Sequence, residues 1–130
     1  MLYLDSSAIV KLVAPEPETS ALIESLRADP EVVSSALSRV EVIRAVRRIG
    51  ASDDRKERAN DVIDRIALIA MEDTILIRAA RLEPPSLRTL DAIHLATALT
   101  LGTDLAGLVT YDGKLAEAAV SEGFDVLAPS

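Results

Sequence analysis

A chain of 130 residues with 49% apolar and 27% charged side chains is long enough to bury one core and is expected to form a single domain spanning residues 1–130. It has no cysteine, which excludes disulfides, thiolate metal sites and a cysteine nucleophile; no apolar run reaches bilayer length and no leader pattern is visible, so a cytoplasmic protein without membrane contact is expected. The net charge of −7 and a set of aromatics limited to Tyr3, Tyr111 and Phe124 speak against a partner held by bulk positive charge and against a base-stacking platform. A nucleic-acid enzyme that grips phosphate, its acids offset by metal, stays open.

The first apolar run, Leu2 to Asp5, reads as a strand, followed by a helix capped by Ser6 or Ser7 and stopped near Val13 by Pro15. "PEPETSALIESLRADP" carries a second helix with Ala21, Leu22, Ile23 and Leu26 inward, closed by Pro30. Residues 32–36 read as a second strand. A third helix starts at Leu37 or Ser38 and stops at Gly50, with Val42, Ile43, Val46 and Ile49 inward. A fourth starts at Ser52 or Asp53 and carries Ala59, Val62, Ile63 and Ile66. A third strand is placed at 67–71, and "DTILIRAARL" is a fifth helix, broken by "EPPS". Thr89 is expected to cap a sixth helix, Leu90 to Leu101, ended by Gly102. "GLVTYD" is a strand, "GKLAEAAVSEG" a seventh helix and "FDVLA" a last strand. Short apolar runs alternating with helix-period segments give an α/β class: a mainly parallel central sheet of about four to five strands, with helices on both faces.

In such sheets ligands bind at the carboxyl ends of the strands. Asp5 and Asp112 sit at two such ends, and Glu41 and Asp91 lie near the starts of helices. Each has an ordinary explanation. Asp5 can cap a helix, Ser38 and Glu41 have capping-box spacing, Asp91 suits a first helical turn, and Asp112 before Gly113 suits a turn. Together they are harder to explain away. Two like charges about 4 Å apart cost about 4 kcal/mol at an effective dielectric near 20, so a fold gathering four acids calls for a cation. An all-oxygen donor set suits Mg²⁺ or Mn²⁺. Ser6 and Thr110 place hydroxyls beside two of the acids.

"YLDSSAIVKL", "SRVEVIRAV", "LDAIHLATAL" and "LVTYDGKL", in that order, resemble the four acidic signatures of PIN-domain ribonucleases, and are most similar to VapC toxins of bacterial toxin–antitoxin pairs. The likeness runs from residue 2 to about 127. It implies a PIN-like fold, metal-dependent hydrolysis of RNA phosphodiesters leaving 5′-phosphate and 3′-hydroxyl ends, and tRNA or ribosomal RNA as substrate. Asp5, Glu41, Asp91 and Asp112 match the metal-binding acids, and Ser6 and Thr110 the hydroxyl positions beside them. Some relatives carry one further acid just after the last signature; here Glu117 is the next, which puts a fifth ligand in doubt. A small VapB-like antitoxin and a homodimer are also implied. Leu22, Leu26, Ile75 and Leu76 are expected to leave apolar surface beyond one small core.

His94, the sole histidine, lies three residues after Asp91. Metal already supplies an activated water, so His94 is expected to hydrogen-bond beside the site rather than act as its base. Arg44 and Arg48, three and seven residues past Glu41, share roughly its helix face and are candidates for the RNA backbone. Arg55 to Arg58 read as solvated surface. A phosphorelay receiver would need an acid beside Asp5, a phosphoacceptor directly after the third strand and a late Lys-Pro pair; this chain has none of these. A haloacid-dehalogenase-type phosphatase would need an acid where Ser7 stands. A PIN fold that only binds RNA or a partner is the remaining alternative, and the full set of acids speaks against it.

Overall fold

The computed structural model describes all 130 residues as a three-layer α/β domain. Its elements are β1 (Leu2–Leu4), α1 (Ser6–Val13), α2 (Thr19–Ala28), β2 (Val32–Ser35), α3 (Leu37–Arg48), α4 (Asp53–Asp64), β3 (Ala67–Ile69), α5 (Asp73–Arg81), α6 (Thr89–Leu101), a short 3₁₀ turn (Gly102–Asp104), β4 (Gly107–Val109), α7 (Gly113–Ser121) and β5 (Val126–Leu127). The five strands form one sheet in the order β3-β2-β1-β4-β5, and every pairing is parallel. The α/β class, the parallel sheet and the helices on both faces agree with the sequence reading.

Strand β1 holds the middle of the sheet and sorts the core by strand alternation. Leu2 and Leu4 face one layer, where they join Ile9 and Val13 of α1, Leu22 of α2, Val42 and Val46 of α3 and Ile63 of α4. Tyr3 points the other way, into a cluster with Leu95 and Ala98 of α6 and Leu115 and Ala119 of α7. Helix α6 is enclosed on most sides: Asp91, Ala92, His94, Leu95, Ala96, Thr97 and Ala98 are all buried. It packs on α5 through Ile75, Ala79, Ala92 and Ala96. Such a helix shows little amphipathic period, which is why it reads as a run of small and apolar residues. Gly107 opens β4 where a Cβ would meet the Asp125 carbonyl oxygen at 3.1 Å, a close backbone approach that favours glycine.

The differences from the sequence reading lie at element ends. The strands stop one or more residues earlier than expected, because the chain leaves the ladder where the helix caps begin. Asp5, not Ser6 or Ser7, caps α1. Arg88, not Thr89, is the capping position of α6. Ile49 caps the end of α3 just past its last residue, Arg48, rather than belonging to the inward face, and is exposed. Of the residues expected to remain as surplus apolar surface, Leu22 and Ile75 are buried, whereas Leu76 is exposed along with Val40, Ile77, Leu90 and Val120. No helix is long and apolar enough to cross a membrane.

Burial separates two otherwise similar substitutions. Leu22→Ala, at a fully buried position, is expected to lower the unfolding free energy by about 2–5 kcal/mol. Ile77→Ala, at a residue that is 55% exposed, is expected to change it by less than about 0.5 kcal/mol. Urea denaturation of both variants measures the contrast.

Candidate active site

The carboxyl ends of β1, β2 and β4 open on one side of the sheet, and a cleft of about 560 Å³ lies there. Asp5, Glu41, Asp91 and Asp112 all line it, with Ser6, Ser7, Arg44, Arg48 and Arg88. The fold therefore brings together four acids that are far apart in the chain.

Each acid is held by its own donors. Asp5 ends β1 and caps α1. Its Oδ1 accepts from the Ala8 backbone N–H at 3.0 Å and from the Ser7 hydroxyl at 2.6 Å, and its Oδ2 accepts from the Thr110 hydroxyl. Thr110 Oγ1 in turn accepts from the Asp112 backbone N–H at 3.0 Å, and Ser7 Oγ accepts from the Tyr111 backbone N–H at 3.0 Å. These bonds tie the β1–α1 corner to the β4–α7 corner. Asp112 caps α7, its Oδ1 accepting from the Leu115 N–H at 2.9 Å.

Glu41 is not part of a capping box. Helix α3 starts at Leu37 after Ala36, with no side-chain cap, and Ser38 is buried against the Ser34 hydroxyl at 2.7 Å. This register puts Glu41 one turn further in and turns it to the cleft. Its Oε1 accepts from the Ser6 hydroxyl at 2.6 Å and lies 2.7 Å from His94 Nε2. Its Oε2 makes no protein hydrogen bond. Behind it, His94 Nδ1 lies 2.8 Å from the Tyr3 hydroxyl. Burial drives the pKa of Tyr3 upward, so the phenol keeps its proton. The arrangement that satisfies every atom has Tyr3 donating to Nδ1 and Nε2–H donating to Glu41. Burial works against the Glu41 charge. The His94 and Ser6 hydrogen bonds and nearby positive charge outweigh it and hold the carboxyl below its ordinary range.

Asp91 lies in the first turn of α6 and is buried. Loss of solvent pushes its carboxyl above the ordinary range, with the neighbouring Asp112 charge adding to the rise, against the opposing Arg88 hydrogen bond and charge. Arg88 spans the last two acids. Its Nε donates to Asp91 Oδ2 at 3.0 Å and its Nη2 to Asp112 Oδ2 at 2.7 Å. The sequence reading expected four unpaired carboxylates in mutual repulsion. Instead the protein carries its own counter-cation, and that residue was not singled out. Its spacing to Asp91 was visible; its reach to Asp112 across 24 positions was not. Ser7 and Tyr3 were missed for the same reason.

The donor set suits a hard divalent cation: four carboxylates, two hydroxyls and no thiolate or free imidazole. A guanidinium already bridges two of the acids, which shows that this spot accepts positive charge. As the side chains stand, no three acids are close enough to share one ion, and Arg88 occupies the facing oxygens of Asp91 and Asp112.

The cleft's other wall is basic. Arg44 and Arg48 also line a neighbouring groove together with Arg47, and none of the three pairs with a carboxylate. Arg39, Lys56 and Arg58 are engaged elsewhere, with Asp64 at 3.8 Å, Asp53 at 4.0 Å and the Leu12 carbonyl at 3.2 Å.

The chain combines a parallel α/β sheet with an acid cleft at its carboxyl edge and hydroxyls that hold those acids, and it matches the family model of the PIN domain over residues 2–121. Among relatives of known kind, it is 48% identical over 129 residues to ribonuclease VapC46 of Mycobacterium tuberculosis, covering 99% of this chain and 98% of that one. It is 41% identical to ribonuclease VapC35 of the same organism, covering 99% and 97%. Its fold is similar to that of M. tuberculosis VapC20, a sarcin–ricin loop cleaving toxin, with a TM-score of 0.75 at 16% identity over 99% of this chain and all of that one. It also resembles a toxin–antitoxin complex from Klebsiella pneumoniae, with a TM-score of 0.74 at 21% identity over 100% and 98% of the two chains. The chain belongs to the VapC-type ribonucleases of the PIN-domain family.

The Tyr3–His94–Glu41 chain is buried at its middle, where His94 is 1% exposed. Removing the imidazole leaves the buried Tyr3 hydroxyl without its partner and takes from Glu41 Oε1 one of its two donors, so His94→Ala is expected to cost about 1–3 kcal/mol of stability. Tyr3→Phe should add less in that background than alone, with a coupling of about 0.5–3 kcal/mol. A double-mutant cycle by chemical denaturation checks both values.

Proposed function

We propose that this VapC-family ribonuclease is the toxin of a toxin–antitoxin pair and cuts RNA internally with Mg²⁺ or Mn²⁺ held by Asp5, Glu41, Asp91 and Asp112. The carrying observation is the convergence of these four acids from separate elements on one cleft whose charge is already offset by a cation. When bound, the ion supplies an activated water and draws charge from the phosphoryl oxygens. The protein's part is to aim the ligands. Thr110, Ser7 and the Ala8 N–H fix Asp5, Ser6 and His94 fix one oxygen of Glu41 and leave the other for the ion, and the α7 cap fixes Asp112. The family resemblance implies attack by water with the 3′ oxygen leaving, which gives 5′-phosphate and 3′-hydroxyl ends.

Arg44, Arg47 and Arg48 form a basic track leading away from the acids. In a chain of charge −7, three arginines without carboxylate partners beside such a cleft suit the RNA phosphates on either side of the cut. The cleft rim also carries Val40 and Leu90, which are 55% and 46% exposed. An antitoxin segment with apolar residues and one cation fits that rim and the acids beneath it. Among the other exposed apolar side chains, Leu76 and Ile77, neighbours on α5, suit a second copy of this chain. The protein works in the cytoplasm, beside its RNA.

Asp5→Asn, Asp91→Asn and Asp112→Asn are each expected to abolish cleavage of RNA in Mn²⁺ while the far-ultraviolet circular dichroism is kept. Full activity in two of them would overturn the site. Mapping RNA 5′ ends after brief expression identifies the target and the end chemistry.

Metal binding can be read separately from cleavage. At a hundred times its dissociation constant, Mn²⁺ is expected to stabilise the wild type by about 2.7 kcal/mol, a melting shift on the order of 10 °C. The Asp91 pKa is raised in the fold, so its charged form is penalised at neutral pH relative to the unfolded chain, and a neutral isostere escapes that penalty. Asp91→Asn should therefore melt no lower than wild type in EDTA and gain much less from Mn²⁺. An undiminished Mn²⁺ shift, read by calorimetry, would remove Asp91 from the site.

A further inference from the structure

We infer that Arg88 is an exchangeable cation of the active site: it holds the place of the metal in the metal-free protein, is displaced when the ion enters, and then grips a phosphate of the bound RNA. This rests on the reading of the acids as the metal site. It adds a substrate-binding residue that none of the acidic signatures contains.

The first ground is where its bonds fall. Arg88 takes Oδ2 of Asp91 and Oδ2 of Asp112, while the other oxygen of Asp112 is committed to the backbone of α7. It therefore occupies an oxygen that Asp112 has free to give. A guanidinium and a divalent ion drawn to those same oxygens repel each other, so entry of the ion opposes the arginine's hold on them.

The second ground is exposure. The Arg88 side chain is 65% exposed, whereas those of Asp91 and Asp112 are 10% and 27% exposed. The acids are set in the protein; the arginine lies over them, with little packing to hold it. A hollow on its outer side, lined by Asp112, Lys114 and Glu117, gives it room to swing.

The third ground is what remains after release. Arg88 is anchored at the head of α6, so its fork stays at the mouth of the cleft. Two parallel N–H groups match phosphate oxygens in a way a point charge does not. Lys11, another cation of the cleft, is already engaged, with Nζ 2.6 Å from Glu16, 3.2 Å from Glu18 and 4.6 Å from the centre of the Tyr111 ring. Arg44 and Arg48 stand on α3. Arg88 is thus placed to hold the RNA from the side of Asp91 and Asp112.

The test uses Arg88→Gln and Arg88→Lys in the full chain, with Mn²⁺ titration calorimetry in the absence of RNA and single-turnover cleavage at saturating Mn²⁺. Arg88→Gln is expected to bind Mn²⁺ about tenfold more tightly, the order that follows from removing one positive charge about 5 Å from a divalent ion in a water-like dielectric. Its cleavage rate is expected to fall about a hundredfold, as when a donor to developing charge is lost. Arg88→Lys keeps the charge and loses the fork, so it should bind Mn²⁺ like the wild type and recover only part of the rate. Unchanged or weaker Mn²⁺ binding in Arg88→Gln would show that Arg88 braces the ligands instead. A wild-type cleavage rate in that variant would remove its role at the phosphate. Asp91→Asn, titrated in parallel, separates the two levels. If it binds Mn²⁺ as the wild type does, the acid cluster itself is misassigned. If its binding is lost while Arg88→Gln matches wild type, the Arg88 assignment alone fails.

Discussion

Four carboxylates gathered at one sheet edge repel one another, and much of this small domain is arranged to contain that repulsion. No single partner does it. Backbone N–H groups hold Asp5 and Asp112. Hydroxyls of Ser6, Ser7 and Thr110 hold Asp5 and Glu41. A buried imidazole supports Glu41, and a guanidinium spans Asp91 and Asp112. Neutral donors act over a short range and carry no net charge into the cleft. The guanidinium is a full charge, and it stands where a stronger cation would compete. Fixed neutral donors and one exposed charge together let the four acids sit at one edge of the sheet.

That containment reaches into the core. Tyr3 sits between two leucines on the central strand, and alternation sends it to the opposite layer, where it meets His94 on α6. A wholly apolar residue at position 3 would pack the same layer but leave Nδ1 of a buried imidazole without a partner. Ser34 plays a similar part in the neighbouring strand, its hydroxyl lying 2.6 Å from the Leu4 carbonyl oxygen and 2.7 Å from the Ser38 hydroxyl. Every buried polar side-chain atom of this core has a partner, in keeping with the cost of leaving one unpaired.

Much of the architecture was legible because it depends on short-range signals. Apolar runs, prolines and Gly50 and Gly102 mark the elements, and the parallel arrangement follows from helices between successive strands. What sequence spacing could not show were pairings across the fold. Tyr3 and His94 are 91 residues apart, Thr110 and Asp5 are 105 apart, and no local pattern joins them. Capping registers misled for a related reason. Ser38 and Glu41 have the spacing of a capping box, yet the cap position falls two residues earlier, at Ala36, and Ser38 is buried against Ser34. Ile49 fits the helical period, yet the helix ends before it can turn inward. In both cases tertiary contacts settled a choice that local propensity left open.

The ordinary explanations of these acids do not compete with the proposed one. Asp5 caps α1 and Asp112 caps α7, and Asp91 lies in the first turn of α6. A parallel sheet starts its following helices at the carboxyl edge, so their N-terminal N–H groups and positive dipole ends point toward one region. An acid that starts such a helix is stabilised by it and, by the same geometry, is delivered to the cleft. Glu41 is the exception that supports the argument. It lies one turn into α3, beyond the free N–H groups of the helix start, and it is the acid for which the fold supplies a buried histidine and a serine hydroxyl instead.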